Sequence, residues 1–137
     1  GLGSISLYLA HQAQEVYGIE VVDEAIEAAK ENAKLNGIDN CYFKAGKVKE
    51  VLPQLAKQVN PDVVVVDPPR KGCKEEVLQA FAALKPERIV YVSCNPSSLA
   101  RDLKFLDGLG YQTEEIQPVD MFPQTYHIEN VALVTRK

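Results

Sequence analysis

Residues 62–70 read Asp-Val-Val-Val-Val-Asp-Pro-Pro-Arg, and residues 88–96 read Arg-Ile-Val-Tyr-Val-Ser-Cys-Asn-Pro. In each, a short apolar run breaks at a polar residue followed by proline. Val63 to Val66 are apolar on both alternating faces, the pattern of a central strand covered on both sides. In the second stretch Asn95 can cap a helix and Pro96 suits its first position. Leu99, Leu103 and Leu106 then fall on one stripe and Gly110 closes the segment.

The same alternation of apolar runs and amphipathic segments fills the chain, as in a parallel sheet with helices on its faces. Strands are expected at 16–21, 41–45, 62–66, 88–92, 111–118 and 130–135. A helix is expected after Asp23, with that residue as N-cap, Ile26, Ala29 and Ala33 on its inner stripe, and Asn36-Gly37 as its stop. Another carries Val77, Leu78, Phe81 and Leu84, and Lys85-Pro86 ends it. Pro53 is expected to start a short helix. The last two strands are joined by a loop, residues 121–128, with no crossover helix, so the final strand should run antiparallel to the others.

The chain has 137 residues, 46% hydrophobic and 25% charged, which suits one soluble domain. No apolar run approaches the roughly 20 residues of a membrane span. Cys41, Cys73 and Cys94 are an odd number at wide spacing, unlike a disulfide framework or a paired-cysteine metal site, and they read as reduced thiols of a cytoplasmic protein. A formal charge of −4 argues against nucleic-acid binding through a bulk positive field. Arg70, Lys71, Lys74, Arg101 and Lys104 read as solvated surface charges, with a local basic patch as the alternative.

Ligands of open α/β sheets bind beyond the carboxyl ends of the strands. Glu20 lies near the end of the first strand, Asp67 follows the valine run, Cys94 follows the next strand, and Glu129 begins the reversed one. All four are expected at one rim. Cys94 faces the positive end of the helix that follows it, which favours thiolate. Gly1-Leu2-Gly3 leads into a helix like the tail of a glycine-rich strand-to-helix turn, and Glu20 stands at the spacing of an acid that holds ribose hydroxyls. Ser6 occupies the place of a third glycine, which favours a nucleoside cofactor without phosphates, such as S-adenosyl-L-methionine. Asp67-Pro68-Pro69-Arg70 is a stiff turn with no amide donor at either proline. The aromatic that follows two prolines in amino-group methyltransferases is replaced by Arg70, which argues against an exocyclic amine as the target. Cys73 and Cys41 read as structural, and His11 as a surface residue. His127 is open to an orienting or a structural role, and Tyr91 and Tyr126 to stacking on RNA or to packing.

These residues resemble the RNA (uracil-5-)-methyltransferases, which use S-adenosylmethionine on tRNA or 23S ribosomal RNA. The resemblance runs through Gly1-Leu2-Gly3, Gly18-Ile19-Glu20, Asp67-Pro68-Pro69-Arg70-Lys71-Gly72, Ser93-Cys94-Asn95-Pro96 and His127-Ile128-Glu129-Asn130. It implies a Rossmann-like class I methyltransferase fold, Cys94 as nucleophile, Glu129 as base, Gly1, Gly3, Glu20 and Asp67 at the methyl donor, and no metal in this chain. It also implies RNA as partner, with an RNA-binding domain and, in some relatives, an iron–sulfur cluster in residues ahead of this chain.

Two departures stand against that pattern. The first central strand and its aspartate-containing turn are missing ahead of Gly1, so the chain reads as the C-terminal catalytic part of a longer enzyme. Lys47 follows Gly46 where relatives carry an acid toward the adenine, and lysine cannot accept a hydrogen bond from the adenine amino group. Together they predict weak or absent activity for the chain alone. The competing readings are another methyltransferase, such as one acting on cytosine C5, and a noncatalytic nucleotide- or RNA-binding fragment of the same fold.

Overall fold

The computed structural model describes residues 1–137. Its six strands form two sheets, and the chain groups into two compact units, Gly1–Lys57 and Gln58–Lys137.

The first unit runs α1 (Ser4–Ala10), β1 (Val16–Glu20), α2 (Asp23–Leu35), β2 (Cys41–Ala45) and α3 (Val48–Leu55). The two strands pair in parallel from Val16 opposite Cys41 to Glu20 opposite Ala45. The predicted stripe of α2 is the one that is buried, Ile26, Ala29 and Ala33. The stop is also as expected. Gly37 has a φ of 64°, and the Ile38 and Gly37 amides return to the Ala33 and Lys34 carbonyls at 2.9 and 3.2 Å. That closure needs a left-handed residue, which glycine adopts without Cβ strain.

Two local expectations are corrected. Asp23 is the first helical residue of α2 and Val22 is its cap. The Val22 carbonyl takes the first helical bonds, from Ala25 and Ile26 at 3.1 and 3.2 Å. Asp23 and Glu24 thus lie in the first turn, where acids suit the positive helix end. Pro53 lies inside α3 and does not start it. Proline lacks one N–H, so one backbone bond is forfeited, and burial of Leu52 and Leu55 offsets that loss.

The second unit runs β3 (Val63–Val66), α4 (Glu75–Ala83), β4 (Arg88–Ser93), α5 (Pro96–Gly108), β5 (Tyr111–Val119) and β6 (Glu129–Arg136). Its sheet has the order β3-β4-β6-β5. β3 and β4 are parallel, and β6 lies antiparallel between β4 and β5, as the short connection required. Leu99, Leu103 and Leu106 of α5 are buried with Leu78 and Phe81 of α4 and with Ile89, Tyr91, Ala132 and Val134 of the sheet. The valine run does not occupy the centre of this sheet: β3 is an edge strand, with Val63 exposed and only Val66 fully buried. Apolar character on both faces says that both faces seek cover, but not which neighbours supply hydrogen bonds. No helix of either unit is long and apolar enough to cross a membrane.

Candidate active site

In the first unit Glu20 ends β1 and its side chain is fixed by the backbone around it. Oε1 accepts from the Val21 and Val22 amides at 2.7 and 3.2 Å. Gly3 caps α1 with a φ of 85°, and a Cβ there would meet the Ala29 Cβ at 2.9 Å. Gly18 is held by packing: a Cβ would meet Phe43 Cδ1 at 2.7 Å. Lys47 precedes α3 as its cap residue and lies 3.9 Å from Glu50, a surface pair of little energetic weight.

In the second unit the register brings the other three acid and thiol residues to one rim of the sheet. Val66 pairs with Tyr91, so Asp67 follows the end of β3 as Val92 continues β4. Ser93 pairs with Asn130 in the antiparallel ladder, which makes Cys94 and Glu129 the next residues along their chains. Glu129 is the first residue of β6 and also pairs with Val119. Asp67 is exposed, and Cys94 and Glu129 are half-buried.

The backbone at Cys94 is tightly specified by its neighbours. The buried Ser93 hydroxyl donates to the Asn95 carbonyl at 3.0 Å and accepts from the Asn95 amide at 3.1 Å, closing the turn around the cysteine. Asn95 Oδ1 accepts from the Ser97 amide at 3.1 Å as the cap of α5, and Pro96 is its first residue. Asn95 Nδ2 and Ser98 Oγ donate to the Arg70 carbonyl at 3.0 and 2.9 Å.

Several residues given open or surface readings have definite places. Tyr91 is buried, and its hydroxyl donates to Asp102 Oδ2 at 2.5 Å, so it packs and does not stack on a ligand. Burial, reinforced by that bond, pushes its phenol far above the ordinary range. Arg101 is exposed, as expected, and also forks onto Asp102, with its Nε at 2.9 Å and Nη2 at 2.7 Å from Oδ1. Cys73 is half-buried and its amide donates to Asp102 Oδ2 at 2.8 Å, in keeping with a structural role. Tyr126 is 86% exposed beside His127, the ring centroids 4.3 Å apart. Asp102 is the residue that sequence reasoning missed. Its signal was present, since it falls on the inward stripe of α5 between Leu99 and Leu106, where an acid must be paired.

The architecture has close counterparts among methyltransferases. At 17% identity and a TM-score of 0.76, a precorrin-6y C5,15-methyltransferase from Geobacter metallireducens matches 100% of this chain over 75% of its own. A tRNA (uracil-54, C5)-methyltransferase from Pyrococcus abyssi, solved in complex with S-adenosyl-L-homocysteine, is 40% identical with a TM-score of 0.84. That match covers 98% of this chain and 32% of the archaeal one. The fold is that of the class I S-adenosylmethionine-dependent methyltransferases. Within that class the chain belongs to the tRNA (uracil-5-)-methyltransferase family, which it matches over residues 1–137. An RNA methyltransferase of Oceanobacillus iheyensis, described as uncharacterized, is 59% identical over 100% of this chain. The chain spans about 30% of the length of that relative.

Proposed function

We propose that the protein to which this chain belongs methylates C5 of a uridine in RNA, in tRNA or ribosomal RNA, with Cys94 as nucleophile and Glu129 as base. The observation that carries this reading is the β4–β6 register, with Ser93 opposite Asn130, which sets Cys94 and Glu129 side by side at the rim. A thiol and a carboxylate so placed suit a reaction that adds to a ring and later removes a proton from the adjacent carbon.

Uracil C5 is a weak nucleophile until its neighbour is attacked. The Cys94 thiolate forms a bond from Sγ to C6, and the C5–C6 π electrons move toward O4 as an enolate. Bound S-adenosylmethionine would supply the methyl group: as C5 bonds to it, the methyl–sulfur bond would break with its electron pair left on sulfur, releasing S-adenosylhomocysteine. Glu129 removes the remaining C5 proton, the electron pair restores the C5–C6 double bond, and the C6–Sγ bond breaks to return the Cys94 thiolate. For the methyl donor we assign Glu20 to the ribose hydroxyls, with Gly1, Gly3 and Asp67 as further contacts. The residues present fit such a group. Glu20 is already oriented by two backbone amides, and the left-handed Gly3 gives its turn a sharp bend ahead of α1. The target base must leave its stack to reach the thiol, which favours a loop or an unpaired segment of RNA. The hairpin between β5 and β6 offers exposed Phe122 and Tyr126 next to Glu129 as stacking surfaces.

The test uses the full-length protein with RNA containing 5-fluorouridine, because fluorine at C5 cannot leave as a proton does. The expected result is a covalent adduct that requires the methyl donor and disappears in Cys94→Ser. Glu129→Gln should accumulate the same adduct on ordinary RNA. An active enzyme that forms no adduct, or rapid turnover in Glu129→Gln, refutes the mechanism.

A further inference from the structure

Asp102 is 1% exposed, and every contact it makes is with a donor. Oδ2 accepts from the Tyr91 hydroxyl and the Cys73 amide, and Oδ1 accepts from Nε and Nη2 of Arg101. The same Arg101 Nη2 donates to the carbonyls of Lys71 and Cys73 at 2.8 and 3.3 Å. Gly72 sits under this cluster with a φ of 76°, and a Cβ there would meet Asp102 Oδ2 at 2.5 Å. One turn earlier, Asn95 and Ser98 hold the Arg70 carbonyl. Four residues of α5 or its cap thus grip the backbone of Arg70, Lys71 and Cys73.

We propose that Asp102 and Arg101 are positioning residues, which lock the loop after Asp67 onto the helix that begins just after Cys94 and so fix the rim groups relative to the thiol. The inference rests on the reading of Cys94 as the nucleophile and deepens it. Neither residue touches the reacting atoms. Each acts through the loop, since Asp67 and Arg70 belong to a segment whose backbone is tied down at 70, 71 and 73. The carboxylate is specifically suited: four donors converge on two oxygens, and asparagine, with one NH2 in place of an oxygen, would face two of those donors with a third donor. The guanidinium is equally specific, because its fork reaches a carboxylate and two carbonyls at once, whereas lysine acts as a point charge.

The experiment uses the full-length protein as wild type, Asp102→Asn and Arg101→Lys. Three quantities are measured: hydrogen exchange in the peptide covering residues 68–74, affinity for a uridine-containing RNA, and the rate of Cys94 adduct formation with 5-fluorouridine RNA. Arg101→Lys is the safeguard against misfolding, since the Arg101 side chain is 60% exposed. Both variants should exchange faster in this peptide and form the adduct about 10-fold more slowly, the scale set by a sub-ångström displacement of reacting groups. RNA affinity should stay at the wild-type value, and Arg101→Lys should remain fully folded at the assay temperature, with a thermal transition lowered less than that of Asp102→Asn. Wild-type exchange and adduct rates in both variants overturn the positioning role, as does a rate loss that only tracks the loss of folded protein. If the wild-type protein itself methylates uridine without an adduct, the nucleophile reading fails first, and the positioning role built on it falls with it.

Discussion

Replacing Asn95 by alanine separates what the cap of α5 contributes from what its amide contributes to the loop. The side chain accepts from the Ser97 amide at 3.1 Å and donates to the Arg70 carbonyl at 3.0 Å. Loss of an N-cap costs about 1 kcal/mol, and loss of an ordinary hydrogen bond about 1 kcal/mol more. The Arg70 carbonyl keeps the Ser98 hydroxyl at 2.9 Å, so no buried acceptor is orphaned and the second figure is not exceeded. Asn95→Ala should therefore destabilise the first turns of α5 by about 2 kcal/mol, a roughly 30-fold rise in the opening equilibrium. Asn95→Ser keeps a side-chain oxygen that can cap the helix and loses only the amide donor to Arg70. Its effect should be about 1 kcal/mol, or roughly 5-fold. Native-state hydrogen exchange of the peptide covering residues 95–103 in the full-length protein reads both. The buried Leu99, Leu103 and Leu106 keep the helix in place while its start loosens. Equal effects from the two substitutions, or less than about 3-fold from alanine, would refute the assignment of Asn95 as the working cap.

Two further outcomes follow from the same loop. Gly72→Ala combines a left-handed φ of 76° with Cβ contacts of 2.5 Å to Asp102 Oδ2 and 2.7 Å to Arg101 Nη2. Strain and overpacking together should destabilise by about 3 kcal/mol, read as a lowered denaturation midpoint, and a loss below about 1 kcal/mol would contradict the close packing described. Burial pushes the Cys73 thiol above its ordinary range; a hydrogen bond with Tyr91 opposes this, the nearby Asp102 adds to it, and Arg101 opposes it least. Less thiolate is then present at neutral pH, so alkylation of Cys73 followed by mass spectrometry should be slower than for a free small thiol and should keep rising as the pH passes the ordinary thiol range. Alkylation at neutral pH as fast as that of the free thiol would contradict the burial.

What was legible in the sequence was what local chemistry decides. Asn95, Pro96 and Gly110 bound α5 as their residue types demand, and Gly37 closes α2 through its left-handed backbone. The reversal of β6 followed from the length of its connection alone. The errors arose where a distant or tertiary partner overrode a local preference. Asp23 is a good cap residue, yet helix α2 starts at that residue, just after Glu20 has engaged the Val21 and Val22 amides. Pro53 reads as a helix start, yet the burial of Leu52 and Leu55 carries α3 past it. Asp102 was passed over because its partners Cys73 and Tyr91 stand 29 and 11 residues away, and no local pattern joins them.

The Ser-Cys-Asn-Pro stretch shows how a short motif combines structural and chemical demands. The Ser93 hydroxyl ties both polar groups of the Asn95 backbone. The Asn95 side chain caps α5 and ties Arg70, and Pro96 fixes the first helical φ. Cys94 alone of the four has no part in this bonding, and a half-buried thiol is not needed to close the turn. Cys94 follows Ser93, which is locked opposite Asn130, the residue after Glu129. A thiol left free inside so constrained a frame is consistent with the nucleophile proposed for it. That is why the case for a nucleophile rests on the bonding of the neighbours of Cys94 and not on a thiol at a helix start by itself.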